Sequence, residues 1–112
     1  MTAAEPYATS ALTIWVASPE GDAPVVVVSG ELDMATATVL GRHLSGVVRG
    51  DTDVIVDISD VTFIDSSGLR ALIDARRQSE DRGRTLTLRR PARNVSRVLA
   101  ITGLDGVFAI EP

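Results

Sequence analysis

Two serines, Ser66 and Ser67, stand where an apolar run gives way to a helical pattern: Val61-Thr62-Phe63-Ile64 is followed by Asp65-Ser66-Ser67-Gly68-Leu69. Leu69, Leu72 and Ile73 recur at helical spacing, which places both hydroxyls at a helix start. At such a start the first backbone N–H groups lack partners within the helix and the dipole is positive, so an anion is favoured. A phosphate on either serine would be held locally while adding roughly two negative charges to the surface. Phosphate acceptance is the chemistry this pattern fits. A purely structural role fits the same residues, because Asp and Ser are preferred N-caps and a small Gly68 permits close packing.

Composition removes most other chemistries. The 112 residues hold no cysteine, so neither a disulfide framework nor a thiolate metal site can form. The single histidine, His43, cannot anchor a histidine-based metal cluster, and no metal or cofactor is expected. All 11 basic residues are arginine, which excludes any reaction that needs a lysine. A receiver domain phosphorylated on aspartate, which would need a lysine near its acidic cluster, is rejected on that ground. No Gly-x-Ser-x-Gly elbow or Walker-type loop is present, so neither a serine hydrolase nor a nucleotide pocket of that kind is indicated and an enzyme is not expected. The net charge of −4 disfavours nucleic acid as the main partner. Residues 1–65 carry −8 and residues 66–112 carry +4, which a solvated surface on an interleaved fold would explain. There is no signal-peptide pattern, and the apolar runs are too short to cross a bilayer, so a cytoplasmic protein is expected.

The elements that must position the serines follow from periodicity. Residues 1–10 are small and polar and read as a loose arm, with one domain over residues 11–112. Leu12–Val16 and Val25–Val28 flank the turn residues Ser18-Pro19-Glu20-Gly21-Asp22 and form an antiparallel hairpin. Gly30-Glu31-Leu32-Asp33 leads into a helix from Met34 to about Arg49, with Asp33 as N-cap and Gly50 as stop. A strand over Val54–Ile58, a loop over Ser59–Asp65 and a helix from Ser66 to about Asp81 come next. Thr85–Leu88 is a further strand, a short helix after Pro91 carries Val95, Val98 and Leu99 and closes at Gly103, and Val107–Ile110 is the last strand. The order β-β-α-β-α-β-α-β implies a mixed α/β sheet with its helices mainly on one face. The serines then sit at the carboxyl end of a parallel strand, the usual functional edge of such sheets.

Gly30-Glu31-Leu32-Asp33 and Phe63-Ile64-Asp65-Ser66-Ser67-Gly68-Leu69, in this order of elements, resemble the STAS-domain anti-sigma-factor antagonists of bacteria over about residues 11–110. The resemblance implies a partner switch. The unphosphorylated form would bind an anti-sigma factor that is also an ATP-dependent serine kinase and so release the sigma factor. Phosphorylation would separate the pair and a phosphatase would restore it. The phosphoacceptor implied is the serine directly after the aspartate, Ser66, with Ser67 as second choice. Asp33, Asp65, Ser66, Ser67, Gly68 and Leu69 would form the switch and partner-binding region, with Asp65 helping to orient the hydroxyl and Leu69 in the core. No membrane contact and a monomer or weak homodimer are expected. Many members carry a further C-terminal helix that this chain, ending at Pro112, is not expected to have. Two other readings are a non-switching STAS adaptor or scaffold subunit, and a STAS module that binds a nucleotide or phosphate. The arginine-rich segments from Arg76 to Arg97, with Arg89, Arg90 and Arg93 among them, are expected to guide partner choice through charge.

Overall fold

The sheet is built outward from a hairpin of β-branched residues. The computed structural model describes residues 2–3, 7–9, 11–19 and 21–112. Strand β3 (Leu12–Ser18) pairs antiparallel with β4 (Val25–Leu32), and two short strands, β1 (Thr2–Ala3) and β2 (Tyr7–Ala8), lie antiparallel along its outer edge. Strands β5 (Val54–Ile64), β6 (Leu86–Arg89) and β7 (Ala109–Glu111) then add in parallel to β4, in the spatial order β3-β4-β5-β6-β7. Helices α1 (Met34–Val48), α2 (Ser66–Asp81) and α3 (Arg93–Thr102) connect the parallel strands, and a 3-10 turn (Leu104–Gly106) follows α3. Of the arm expected at residues 1–10, Thr2–Ala3 and Tyr7–Ala8 are these edge strands. Met1, Ala4–Pro6, Ser10 and the turn residue Glu20 lie outside the described residues.

Alternation puts one face of the sheet into a single core. Leu12 and Ile14, Val26 and Val28, and Leu86 and Leu88 are buried, while Thr13, Val27 and Thr87 between them are only half-buried. Leu40 and Leu44 of α1, Leu72 and Ala75 of α2, and Val95 and Leu99 of α3 join that core. Among the described residues no helix is long and apolar enough to cross a membrane.

Of the loop expected at Ser59–Asp65, Ser59–Ile64 are instead the second half of β5, a strand of 11 residues. The cause lies in its pairing. Val27 pairs with Asp57 but Ser29 with Asp60, and Gly30 pairs with Val61 but Glu31 with Phe63, so β5 twice advances one residue more than β4. Each shift interrupts the two-residue period, and the buried positions become Ile58, Val61 and Ile64. A register that skips in this way reads as a loop. The last strand also moves, from the expected Val107–Ile110 to Ala109–Glu111, because Val107 and Phe108 close the 3-10 turn by donating to the Leu104 carbonyl, both at 3.0 Å.

Gly30 permits the crossing of β3 and β4 at the end of the hairpin. It sits at φ +109°, and a Cβ there would run into the Ala11 carbonyl oxygen, which accepts the Glu31 N–H at 2.8 Å.

Candidate functional site

Two neighbouring parallel strands end in the same device. Leu32 closes β4 and Asp33 caps α1; Ile64 closes β5 and Asp65 caps α2. The Asp65 N–H donates to the Leu32 carbonyl at 3.1 Å, so the two helix starts are joined through the last rung of the sheet. At α1, Asp33 Oδ1 accepts from the Ala35 and Thr36 amides at 2.9 and 3.0 Å, while Thr36 Oγ1 accepts the Asp33 N–H at 2.9 Å. This is a reciprocal capping box, and the amide bonds, that of Thr36 first, hold the Asp33 carboxyl below its ordinary pKa.

At α2, Asp65 Oδ1 accepts from the Ser67 amide at 2.8 Å and the Gly68 amide at 3.2 Å. Two of the helix's leading donors are therefore already used by a carboxylate. This corrects two expectations. Asp65 spends its carboxylate on backbone amides and not on the Ser66 hydroxyl, and the helix end is less open to an outside anion than its position alone implies.

Ser66 is the first residue of α2 and its side chain is exposed; Ser67 is half-buried. Gly68 and Leu69 are buried beneath them. The six residues expected at the switch thus lie together at one edge of the sheet, four at the surface and two in its support. Ser66 borders a cleft of about 360 Å³ that runs between α2 and Leu104, with Arg70, Ile73, Asp74 and Arg77 along it. Ser67 borders a larger groove of about 610 Å³ between α1 and α2, whose charged residues are Arg42, Arg49, Arg70 and Asp74. Arg70 is common to both.

Two large apolar side chains also stand exposed at this edge. Met34, the first residue of α1, is 79% exposed and lines the α1–α2 groove beside Ser67. Phe63, three residues before Ser66, is 47% exposed. The sequence reading placed Phe63 in the loop expected at Ser59–Asp65 and gave Met34 no role. The signal for Phe63 was its adjacency to the Asp65-Ser66-Ser67 tract, which the register shift conceals.

The charged residues of β5 and the loop before α3 form a separate support. Asp57 is buried in the middle of β5, where its Oδ1 accepts from the Ser59 amide at 3.0 Å and the Ser59 hydroxyl at 2.7 Å. Its Oδ2 accepts from the Arg90 guanidinium at 2.7 Å. Burial alone would raise the Asp57 pKa, but these bonds and the Arg90 charge together hold it below the ordinary value. Arg89 pairs with Glu111 at 3.2 Å. Of the arginines between Arg76 and Arg97 expected to guide partner choice, Arg89 and Arg90 are thus engaged within the fold. Sequence reasoning missed Asp57, whose partner lies 33 residues away. His43 is half-buried on α1, where its Nδ1–H donates to the Val39 carbonyl at 2.9 Å and its ring lies 5.6 Å from that of Tyr7.

This arrangement is a helix-start serine on a mixed sheet with its helices on one face, and comparison with known proteins gives it a class. Residues 15–111 match the family described as Mlab, STAS domain. In sequence the chain is similar to the anti-sigma-F factor antagonist RsfB of Mycobacterium tuberculosis, at 32% identity over 106 residues covering 92% of this chain and 84% of that one. It is also similar to the anti-sigma-B factor antagonist of Bacillus subtilis, at 28% over 86 residues covering 77% and 79%. In structure it is similar to an anti-sigma factor antagonist from Mycobacterium paratuberculosis, with a TM-score of 0.74 and 33% identity over 94% of this chain and 89% of that one. The chain belongs to the STAS-domain family of anti-sigma-factor antagonists.

Proposed function

We propose that this chain is an anti-sigma-factor antagonist whose binding is switched by phosphorylation of Ser66. Unphosphorylated, it binds an anti-sigma factor that is also a serine kinase, and the sigma factor is released. The kinase transfers the γ-phosphoryl group of ATP to Ser66 Oγ: the new P–O bond replaces the bond to the leaving ADP, and the hydroxyl proton is given up. A phosphatase reverses the modification by hydrolysis. The observation that carries this reading is the placement of Ser66, exposed at the first position of α2 just past the end of β5, three residues after the exposed Phe63 and next to Ser67, which borders the Met34-lined groove. The relatives named as antagonists of anti-sigma factors support the partner class.

The physics of such a switch is local. A partner surface matched to a neutral hydroxyl and two apolar anchors would have to desolvate a dianion once Ser66 is modified. Desolvating a charge without a matched partner costs several kcal/mol, in order of magnitude, which is enough to dissociate a complex of ordinary affinity. The domain itself need not unfold, because Ser66 is exposed and a phosphate there displaces no buried side chain.

The test is intact-mass measurement of the chain after incubation with candidate anti-sigma kinases and ATP-Mg²⁺, beside Ser66→Ala and Ser67→Ala. One added phosphate that disappears only in Ser66→Ala is the expected result. Disappearance only in Ser67→Ala would move the acceptor by one residue. No phosphate from a kinase that binds the chain would leave a non-switching adaptor as the reading.

A further inference from the structure

Resting on the reading of Ser66 as phosphoacceptor, we propose that Arg70 is the internal counter-ion of the phosphorylated state. On modification its guanidinium closes over the Ser66 phosphate and leaves the groove between α1 and α2.

Three observations carry this. The first is that the ordinary holder of an anion at a helix start is occupied. Asp65 already takes the Ser67 and Gly68 amides and sets a carboxylate beside the position a phosphate would enter. Some cation must therefore offset both charges, or the phosphorylated state is strained by repulsion.

The second is placement. Ser66 and Arg70 are four residues apart on α2, one above the other on the same helical face, and both line the cleft of about 360 Å³. Arg70 is exposed on a helix, so its side chain can swing between neighbouring positions. A planar guanidinium donates two parallel N–H bonds to phosphate oxygens, the strong geometry for this pair.

The third is availability. Among the described residues Arg70 makes no ion pair, whereas Arg77, the other cation of the cleft, lies 4.0 Å from Asp74. Asp74 follows Arg70 by one turn and is the acid placed to compete for it, but its near cation is Arg77. Arg42 stands across the α1–α2 groove and does not line the cleft that Ser66 borders.

Because Arg70 lines both depressions, the phosphate acts on two surfaces at once. The cleft gains a compact ion pair. The groove keeps Arg42 and Arg49 but loses its third arginine, and Met34 is left beside a less positive wall. A partner that touches only the groove would then sense a modification it does not contact.

The experiment uses the full chain with phosphoserine installed at position 66 during translation, so that no kinase is needed. The second ionisation of the phosphate is followed by ³¹P NMR in the parent chain, in Arg70→Gln and in Arg77→Gln. An adjacent guanidinium stabilises the dianion and lowers that pKa. The expected result is a titration about 0.15–0.4 of a pH unit lower in the parent than in Arg70→Gln, the size an i,i+4 ion pair supports, with Arg77→Gln like the parent. Equal midpoints in the parent and Arg70→Gln would overturn the proposal, as would a shift lost only in Arg77→Gln. Circular dichroism of each variant confirms that the helix is intact; Arg70→Lys, expected to retain only part of the shift, replaces Arg70→Gln should that variant fail to fold. A kinase that modifies some other residue would end the Ser66 reading without touching this result.

Discussion

Gly68 has no room for a side chain because of Leu32: a Cβ on Gly68 would lie 2.8 Å from both the carbonyl oxygen and the Cβ of Leu32, and 2.9 Å from Ile64 Cγ1. The Leu32 oxygen is the acceptor for the Asp65 N–H, so this close approach locks the start of α2 against the end of β4. Gly68→Ala is expected to push the helix start off the sheet and to destabilise the fold by about 1–3 kcal/mol, the usual cost of overpacking. Urea unfolding of the variant measures this, and a midpoint unchanged from the parent would show that the helix can shift freely.

Asp65 contributes a cap and a charge, and two substitutions separate them. Asp65→Ala removes the acceptor for the Ser67 and Gly68 amides and should cost about 1 kcal/mol of stability. Asp65→Asn keeps an acceptor oxygen and is expected to stay within a few tenths of a kcal/mol of the parent. Thermal unfolding of the pair checks both. Equal losses in the two variants would mean that the charge matters and the cap does not.

The Asp57–Arg90 pair makes a pH prediction. The folded carboxyl titrates below its ordinary value of about 3.9, so the unfolded chain takes up this proton first as the solution is acidified. Its stabilising contribution is complete above that value and is lost as pH falls through the lower folded one. Urea midpoints at pH 7 and pH 3 should therefore differ less in Asp57→Asn than in the parent. Some acid sensitivity should remain in the variant, because Asp33 is shifted in the same direction. An undiminished difference would place the acid sensitivity elsewhere.

Met34 and Phe63 are exposed, so shortening them should leave the fold alone. Met34→Ala and Phe63→Ala are each expected to change unfolding free energy by no more than about 0.5 kcal/mol. Each should weaken binding to the proposed anti-sigma partner about tenfold or more, the effect of losing an interfacial anchor. Titration calorimetry with the cognate partner separates the two effects. Unchanged affinity in both variants would remove these side chains from the interface.

The parts of this fold that were legible in the sequence are those where local chemistry decides the outcome. Asp33, Asp65 and Gly103 mark helix ends by capping geometry that involves only near neighbours, and α2 occupies the span its periodicity predicts. The second half of β5 was not legible, because its two register shifts are fixed by β4 and break the alternation that identifies a strand. Asp57 was hidden for a related reason: a charge within an apolar run reads as surface until the distant Arg90 is seen beside it. The serines themselves were located correctly at a strand's carboxyl end, and the Asp65 cap that takes the Ser67 and Gly68 amides follows the same local preference.

Under the proposed switch, the paired strand ends, Leu32-Asp33-Met34 and Ile64-Asp65-Ser66, would offer a kinase two near-duplicate entrances on one side of the molecule. Each presents a carboxylate cap and the first turn of a helix. Only the second carries a hydroxyl at the leading position, while the first carries a thioether that cannot accept a phosphoryl group. Selectivity between the two would then lie in side-chain chemistry and would not depend on such a kinase telling one backbone from the other. Met34→Ser would make the first entrance a rival substrate for the proposed kinase, and the ratio of the two products would report how much of its recognition lies beyond the first turn.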